Sequence, residues 1–233
     1  MTTFVLVPGS DGRSSYWQRF VPELESRGHE ALPVELPLGA DAGLADYAEA
    51  IVATAQGHGE VVLLAQSMGA FSAPLACERL PVRELVLLNP MVPAPGERAA
   101  DWWAATGQPA ALAEYARRGG WHTEFDMRIH LFHDVPEEIT AAALAEGGGA
   151  ALDTVFSEPW PLTGWPRVPI RVLQGRADRF FPLTFQRRVV AERLGGIGIE
   201  ELPGGHLLAF GYPRELAEAL TASASGPRRS ASA

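Results

Sequence analysis

Short apolar runs alternate with amphipathic segments along most of the chain. The runs predict six strands, and the segments between them carry apolar residues at helical spacing. Strands that are apolar throughout and alternate with helices are typical of a parallel sheet covered on both faces. We therefore expect an open, mostly parallel α/β sheet with helices on both faces. The predicted strands are Thr3–Val7, EALPVELP, Val61–Leu64, RELVLLNP, IRVLQG and GIEELPG.

The helical segments follow the strands in turn. SSYWQRFVPELESRG predicts one helix that stops at Gly28, and LADYAEAIVATAQG predicts the second. A third helix is expected after Ser67. PLTFQRRVVAERLG and HLLAFGYPRELAEALTA predict one helix each near the end of the chain.

The alternation breaks between about Met91 and Pro169. This interval contains five of the six tryptophans and two helical pieces, QPAALAEYARRGG and PEEITAAALAEGGG, but no strand pattern. Asp134 and Glu137 have capping-box spacing before the second piece. We predict a helical cap at residues 91–169, inserted between the fourth and fifth strands. Residues 1–90 and 170–222 then form the sheet core, and residues 223–233, rich in Ala and Ser, form a disordered tail.

Composition narrows the classes of function. The formal net charge of −9 disfavours nucleic acid and anionic membranes as partners. All 19 basic residues are arginine, which excludes a Schiff-base lysine. The single cysteine, Cys77, cannot form an intrachain disulfide, and no apolar run approaches the roughly 20 residues that span a bilayer. We expect a soluble cytoplasmic protein, monomeric or homodimeric, that needs no cofactor.

Three polar residues follow three different predicted strands. In AQSMG, small residues two positions before and after Ser67 allow a tight strand-to-helix turn that exposes the hydroxyl. The alternative for Ser67 is an ordinary helix N-cap. Asp178 in QGRADRFFP and His206 in PGGHLLAF could likewise be a helix cap and a loop histidine. Their order, Ser…Asp…His, favours instead a nucleophile, an acid and a base.

Such a triad needs donors for a developing oxyanion. The loop VPGSDGRSSYW follows the first strand, where Gly9 gives the turn room. The backbone N–H groups of Ser10 and Met68 are the candidates for this oxyanion hole.

With these motifs the chain resembles the α/β-hydrolase superfamily from residue 3 to about residue 222. Within it, the chain is most similar to the compact group of plant methylesterases, hydroxynitrile lyases and bacterial esterases of that shape. The resemblance rests on VLVPGSDGRSSYW, AQSMG, QGRADRFFP, PGGHLLAFGYPREL and the cap. It implies a serine hydrolase that cleaves small to medium carboxylic esters or lactones through an acyl-enzyme.

Two alternatives stay open. One is a non-hydrolytic protein of the same fold, such as a cyclase of specialised metabolism or a ligand-binding protein. The other is a C–C lyase. The resembling lyases have a lysine after the histidine and a threonine in the oxyanion loop, whereas this chain has Leu207 and Gly9, which we place in the substrate pocket.

The aromatic residues of the cap have two possible roles, a small core and the wall of an apolar pocket. For the pocket we predict that some of six residues face the serine. They are Trp102, Trp103, Trp121, Phe125, Phe132 and Trp160.

Other polar residues near the site carry weaker signals. His122, His130 and His133 lie near Glu124, Asp126 and Asp134, but no known ligand spacing is present and we predict no metal. Three arginines flank the predicted site and could bind a substrate carboxylate or form surface ion pairs. They are Arg13, Arg176 and Arg179.

Overall fold

The six predicted strands form one sheet in a computed structural model that describes residues 1–146 and 153–224. The strands are β1 (Thr3–Val7), β2 (Glu30–Pro33), β3 (Val61–Gln66), β4 (Val82–Leu88), β5 (Ile170–Gly175) and β6 (Ile199–Leu202). Their order in the sheet is β2-β1-β3-β4-β5-β6, and every neighbouring pair is parallel. The predicted α/β-hydrolase-like architecture is therefore confirmed.

Helices connect the strands. Those of the sheet core are α1 (Val21–Glu25), α2 (Leu44–Thr54), α3 (Gly69–Ala76), α9 (Leu183–Leu194), α10 (Leu208–Gly211) and α11 (Pro213–Ala224). Between β4 and β5 lie α4 (Ala99–Thr106), α5 (Gln108–Gly119), α6 (Met127–His130), α7 (Glu137–Ala145) and α8 (Asp153–Ser157). The described part of the interval that interrupts the strand pattern thus contains helices and no strand of the sheet, as predicted. No helix of the described residues is long and apolar enough to cross a membrane.

The sheet separates two hydrophobic cores. In β1, Val5 and Val7 face one core while Phe4 and Leu6 face the other, because successive side chains of a strand point to opposite faces. The first core also contains residues of α2, α3, α4, α8 and α9. The second contains residues of α1, α10 and α11, with side chains of α7 packed against it. Burial on both faces explains the continuous apolar runs of the sequence.

Two predicted helices are each divided in two. The first consists of a 3₁₀ turn at Ser14–Trp17 followed by α1, and the last consists of α10 and α11. Prolines account for both breaks, since Pro22 lies in the first turn of α1 and Pro213 begins α11. A proline has no N–H to continue a preceding helix, but it fits the first turn of a new one.

The predicted capping box of α7 is not formed. The N-cap is Pro136, without a side-chain hydrogen bond, and Asp134 packs instead against the backbone of Gly205. The Asp134 side chain, which the spacing predicted to cap α7, is thus used in a contact with a distant part of the chain. The predicted tail at residues 223–233 begins too early, because α11 extends to Ala224; the rest of the predicted tail lies outside the described residues.

The two ends of the inserted segment are tied to each other and to the core. Gly96 donates its N–H to the Trp160 carbonyl at 3.1 Å, and the N–H of Trp160 bonds Glu97 at 2.9 Å. The indole N–H of Trp160 reaches the Phe71 carbonyl in α3 at 3.0 Å. Trp160 therefore anchors the insertion to the helix that follows Ser67.

Replacing Trp160 tests this anchor. We expect Trp160→Ala to lower the free energy of unfolding by about 3–5 kcal/mol, because it empties a buried site and leaves the Phe71 carbonyl unpaired. Urea denaturation measures the change. Met127→Ala, at a side chain that is 40% exposed, is the control. Equal losses in the two variants would show that the indole does not hold the insertion.

Candidate active site

Ser67 occupies a strained turn between β3 and α3. Its φ is +50°, a region that residues with a β-carbon rarely adopt. The turn is held by backbone bonds, since the Ser67 N–H donates to Leu88 at 2.9 Å and its carbonyl accepts from Met91 at 3.0 Å. Such strain persists only where the surroundings enforce it, which is typical of functional positions.

Small residues around Ser67 are required by close contacts. A β-carbon on Gly69 would lie 2.8 Å from the Pro8 carbonyl oxygen, and one on Gly9 would meet the Gln66 side chain and lie 3.3 Å from Ser67 Cβ. The end of β1 therefore passes directly against the turn. This packing brings the loop of Gly9 and Ser10 beside Ser67.

Ser67, His206 and Asp178 form a hydrogen-bonded chain. His206 Nε2 lies 3.2 Å from Ser67 Oγ, and His206 Nδ1 lies 2.8 Å from Asp178 Oδ2. The Asp178 carboxylate accepts the Nδ1–H, which leaves Nε2 free to accept the serine hydroxyl proton. The three residues that follow three separate strands in sequence thus meet at one edge of the sheet.

The Asp178 side chain is fully buried and accepts further hydrogen bonds. Oδ1 accepts the N–H groups of Phe180 at 2.8 Å and Phe181 at 2.9 Å, and Oδ2 accepts Gln174 Nε2 at 3.0 Å. These donors offset the cost of burying a carboxylate. They also fix the oxygen that receives His206.

Asn89 is a supporting residue that our sequence analysis missed. Its Oδ1 accepts the Gly175 N–H at 2.7 Å, and its Nδ2 donates to the carbonyls of Gly205 at 3.1 Å and His206 at 2.7 Å. The side chain thereby joins the end of β5 to the loop of the histidine. An Asn after an apolar strand was the available signal, but the pattern also fits an ordinary turn.

The predicted oxyanion donors are the backbone N–H groups of Ser10 and Met68. Ser10 and Met68 both line the cavity that contains Ser67. Among the hydrogen bonds of residues 1–146 and 153–224, neither backbone N–H has an acceptor. Both groups are therefore available to a ligand oxygen.

The cavity has a volume of about 620 Å³ and is walled mainly by apolar side chains. Trp103, Phe125, Phe132 and Leu207 line it, four of the residues that we placed in the pocket. Further lining residues that the sequence did not suggest are Tyr16, Met91, Phe156, Phe180 and Phe210. Several of these lie outside the cap, where aromatic density gave no signal.

The other predicted pocket residues lie elsewhere. Trp102 and Trp160 are buried in the core, where their indoles bond the Val92 and Phe71 carbonyls. Trp121 lies under the guanidinium of Arg179, 4.2 Å from its ring centre. Gly9 lies against Gln66 and Ser67, which line the cavity, but is not among the lining residues itself. A buried indole needs a hydrogen-bond partner, which explains why Trp102 and Trp160 point at backbone oxygens.

The candidate metal residues are dispersed. His133 Nε2 lies 3.1 Å from the Ala177 carbonyl, and burial lowers the pKa of His133, so its neutral ring donates there. His130 is buried and bonds the backbone of Asp126, and His122 is exposed. In the described part of the chain, no group of three or more potential ligands is placed to hold a metal ion.

Asp11 is an unusual titrating group in this cavity. Burial raises the pKa of Asp11 to about 6, although the backbone N–H and the charge of Arg13 oppose the shift. Asp11 lines the cavity next to Ser10, the predicted oxyanion donor. A proton on Asp11 therefore changes the charge of this wall near neutral pH.

Comparison with known proteins agrees with this architecture. A sequence model described as the alpha/beta hydrolase family matches residues 4–219. No curated protein matches the sequence.

Solved structures that match include polyneuridine aldehyde esterase, with a TM-score of 0.74, 20% identity, and coverage of 97% of this chain and 100% of that chain. A pyrethroid hydrolase from Sphingobium faniae JZ-2 matches with a TM-score of 0.71 and 22% identity, and the match covers 97% of this chain and 98% of that chain. A methylesterase from Arabidopsis matches with a TM-score of 0.74 and 17% identity, and the match covers 97% of this chain and 99% of that chain. At these identities the matches show a shared fold.

Because the pKa of Asp11 is raised, we predict that the free energies of unfolding of wild type and Asp11→Asn differ by an amount that depends on pH. Between about pH 4 and pH 6 the folded carboxyl keeps a proton that the unfolded chain releases, so the wild-type free energy of unfolding falls as pH rises. In Asp11→Asn the side chain does not ionise, so this fall in the free energy of unfolding is absent. We expect the variant to gain up to about 3 kcal/mol on wild type across this window.

Urea denaturation at a series of pH values measures the difference. Asp41→Asn, at an exposed position, is the control for loss of one carboxylate. A difference between Asp11→Asn and wild type that stays constant from pH 4 to pH 7 would contradict the assigned shift.

Proposed function

The chain belongs to the alpha/beta hydrolase family, and we propose that it is a serine hydrolase of small to medium carboxylic esters or lactones. The observation that carries the proposal is the bonded chain Ser67–His206–Asp178, whose serine opens into an apolar cavity. The structurally similar esterases support ester hydrolysis over other reactions of the fold.

The reaction proceeds in two halves. His206 Nε2 takes the hydroxyl proton as Ser67 Oγ attacks the ester carbon, and Asp178 stabilises the imidazolium that forms. The N–H groups of Ser10 and Met68 bind the oxyanion. Collapse expels the alcohol, which takes the proton from His206. Water, activated by the same imidazole, then releases the acid and restores Ser67.

The site lacks the features of the lyase alternative. Leu207 lines the cavity directly after the base and supplies no positive charge for a leaving anion such as cyanide. The chain contains no lysine that could take this role. The apolar lining suits instead the acyl or alcohol part of an ester. We propose that residues 91–169 act as the cap that, together with parts of the core, shapes this lining.

Replacing the nucleophile tests the mechanism. Wild type is expected to release a burst of p-nitrophenol from p-nitrophenyl acetate, and Ser67→Ala to lower kcat by about 10⁴-fold or more, because no acyl-enzyme can form. Ser72→Ala, at a buried serine in the helix α3 that follows Ser67, is the matched control. A fluorophosphonate should label the wild type and the Ser72 variant only. Undiminished turnover by Ser67→Ala would refute the assignment.

Substitution of two adjacent tryptophans tests substrate specificity and protein stability separately. Trp103 lines the cavity, whereas Trp102 is buried and bonds Val92. Trp103→Ala is expected to change the kcat/KM ratio between short and long p-nitrophenyl esters by about 10-fold or more, since pocket contacts are worth 1–3 kcal/mol. Trp102→Ala is expected instead to lower the free energy of unfolding by about 3–5 kcal/mol.

Ester-length profiles and urea denaturation of both variants provide the measurement. If folded Trp103→Ala keeps the wild-type length preference, the insertion is only a cover and does not select substrates.

A further inference from the structure

One wall of the cavity is polar. The loop between β1 and α1 contributes Ser10, Asp11, Arg13 and Ser15 to the lining. The remaining lining is mainly aliphatic and aromatic. Apart from Glu146 and His206, the charged or titratable residues of the lining therefore lie on this loop, which also carries Ser10, the predicted oxyanion donor.

On this wall, Arg13 has a buried side-chain donor without an acceptor among the described residues. Its Nε is buried without a hydrogen bond, and among the described residues no carboxylate forms an ion pair with its guanidinium. The other two arginines near the site are engaged. Arg176 pairs with Glu201 at 3.3 Å, and Arg179 donates to the Ile129 carbonyl at 3.2 Å. A donor withdrawn from water without an acceptor is costly until a ligand supplies one.

The carboxylates near this loop do not take the role of partner. Glu35 accepts the Ser14 N–H at 2.7 Å, and Glu146 accepts the Ser15 hydroxyl at 2.9 Å. Asp11 is the nearest in sequence and the charge of Arg13 acts on it, but among the described residues no ion pair joins the two side chains. Arg13 is thus left as a cation that faces the cavity.

We propose that Arg13 binds a carboxylate on the substrate, which makes the preferred substrates half-esters of dicarboxylic acids. This inference rests on the proposed ester hydrolysis at Ser67. The planar guanidinium presents parallel N–H donors that match the two oxygens of a carboxylate, and such charge-assisted bonds are stronger than neutral ones. Because Arg13 and Ser67 line one cavity, a short dicarboxylic chain can place its ester at Ser67 while its free carboxylate meets Arg13.

The free carboxylate takes no part in the chemistry. The alkyl–oxygen group of the ester leaves as alcohol with the proton from His206, and the acyl chain stays on Ser67 Oγ with its far carboxylate on Arg13. Water then adds, the Ser67 bond breaks, and the dicarboxylate leaves. The net change is half-ester plus water to alcohol plus dicarboxylic acid.

The test compares charged and neutral esters of equal length. The half-esters are ethyl hydrogen succinate, glutarate and adipate, and their neutral counterparts are ethyl butanoate, pentanoate and hexanoate. Each pair differs in one carboxylate replaced by a methyl group. Ethanol release gives kcat and KM for wild type, Arg13→Gln and, as the control arginine outside the cavity, Arg176→Gln.

In wild type, at least one half-ester is expected to exceed its neutral counterpart in kcat/KM. Arg13→Gln is expected to lower that ratio by about 10- to 100-fold, mainly through KM, because a hydrogen-bonded charge is lost. Arg176→Gln should retain the wild-type ratio. Fluorophosphonate labelling of Ser67 in Arg13→Gln should match wild type, which shows that the nucleophile is intact.

Other outcomes overturn the inference. Equal losses on both members of a pair would make Arg13 a structural residue. A wild type that cleaves neutral esters through Ser67 but no half-ester better would refute the carboxylate site and leave the proposed hydrolysis standing. If no ester is cleaved, the proposed function fails, and calorimetric titration with succinate, glutarate and adipate decides on Arg13 alone. Binding that disappears in Arg13→Gln supports the site, and no binding to wild type refutes it.

Discussion

The carboxamide of Asn89 joins the parts of the molecule that the candidate triad needs to have in register. Ser67, Asp178 and His206 follow three different strands, so nothing in the local chain fixes their mutual distances. Asn89 accepts one N–H at the end of β5 and donates to two carbonyls in the loop of His206. A carboxamide carries both an acceptor and two donors, so a carboxylate or an alkyl group of similar size would leave buried groups unpaired.

The inserted helix α4 places two neighbouring tryptophans in different surroundings, one in the core and one at the cavity. Trp102 and Trp103 are adjacent in α4, and they point to different surroundings because successive residues of a helix are separated by about 100°. One indole fills the core and bonds a backbone carbonyl, and the other borders the cavity. The same helix can therefore be anchored in the core by one tryptophan while the next one lines the cavity.

The sequence by itself determined the architecture. Continuous apolar runs such as Val61–Leu64 are stable only when both faces of a strand are covered, so the parallel sheet and its helices follow from the pattern alone. The tight turn at Ser67 was also readable, because small residues at fixed offsets report a local steric requirement. The order of Ser67, Asp178 and His206 after their strands then placed all three at one edge, since parallel strands end on the same side.

Only the tertiary structure decided which side chains meet. The supporting role of Asn89, the diversion of Asp134 from the α7 cap to Gly205, and the place of Trp160 in the core depend on contacts between segments far apart in the chain. The same holds for Arg13, which the sequence could not distinguish from Arg176 and Arg179. Local pattern reports the period and the steric limits of one segment, whereas the partner of a buried polar group is set by whichever distant backbone or side chain packs against it.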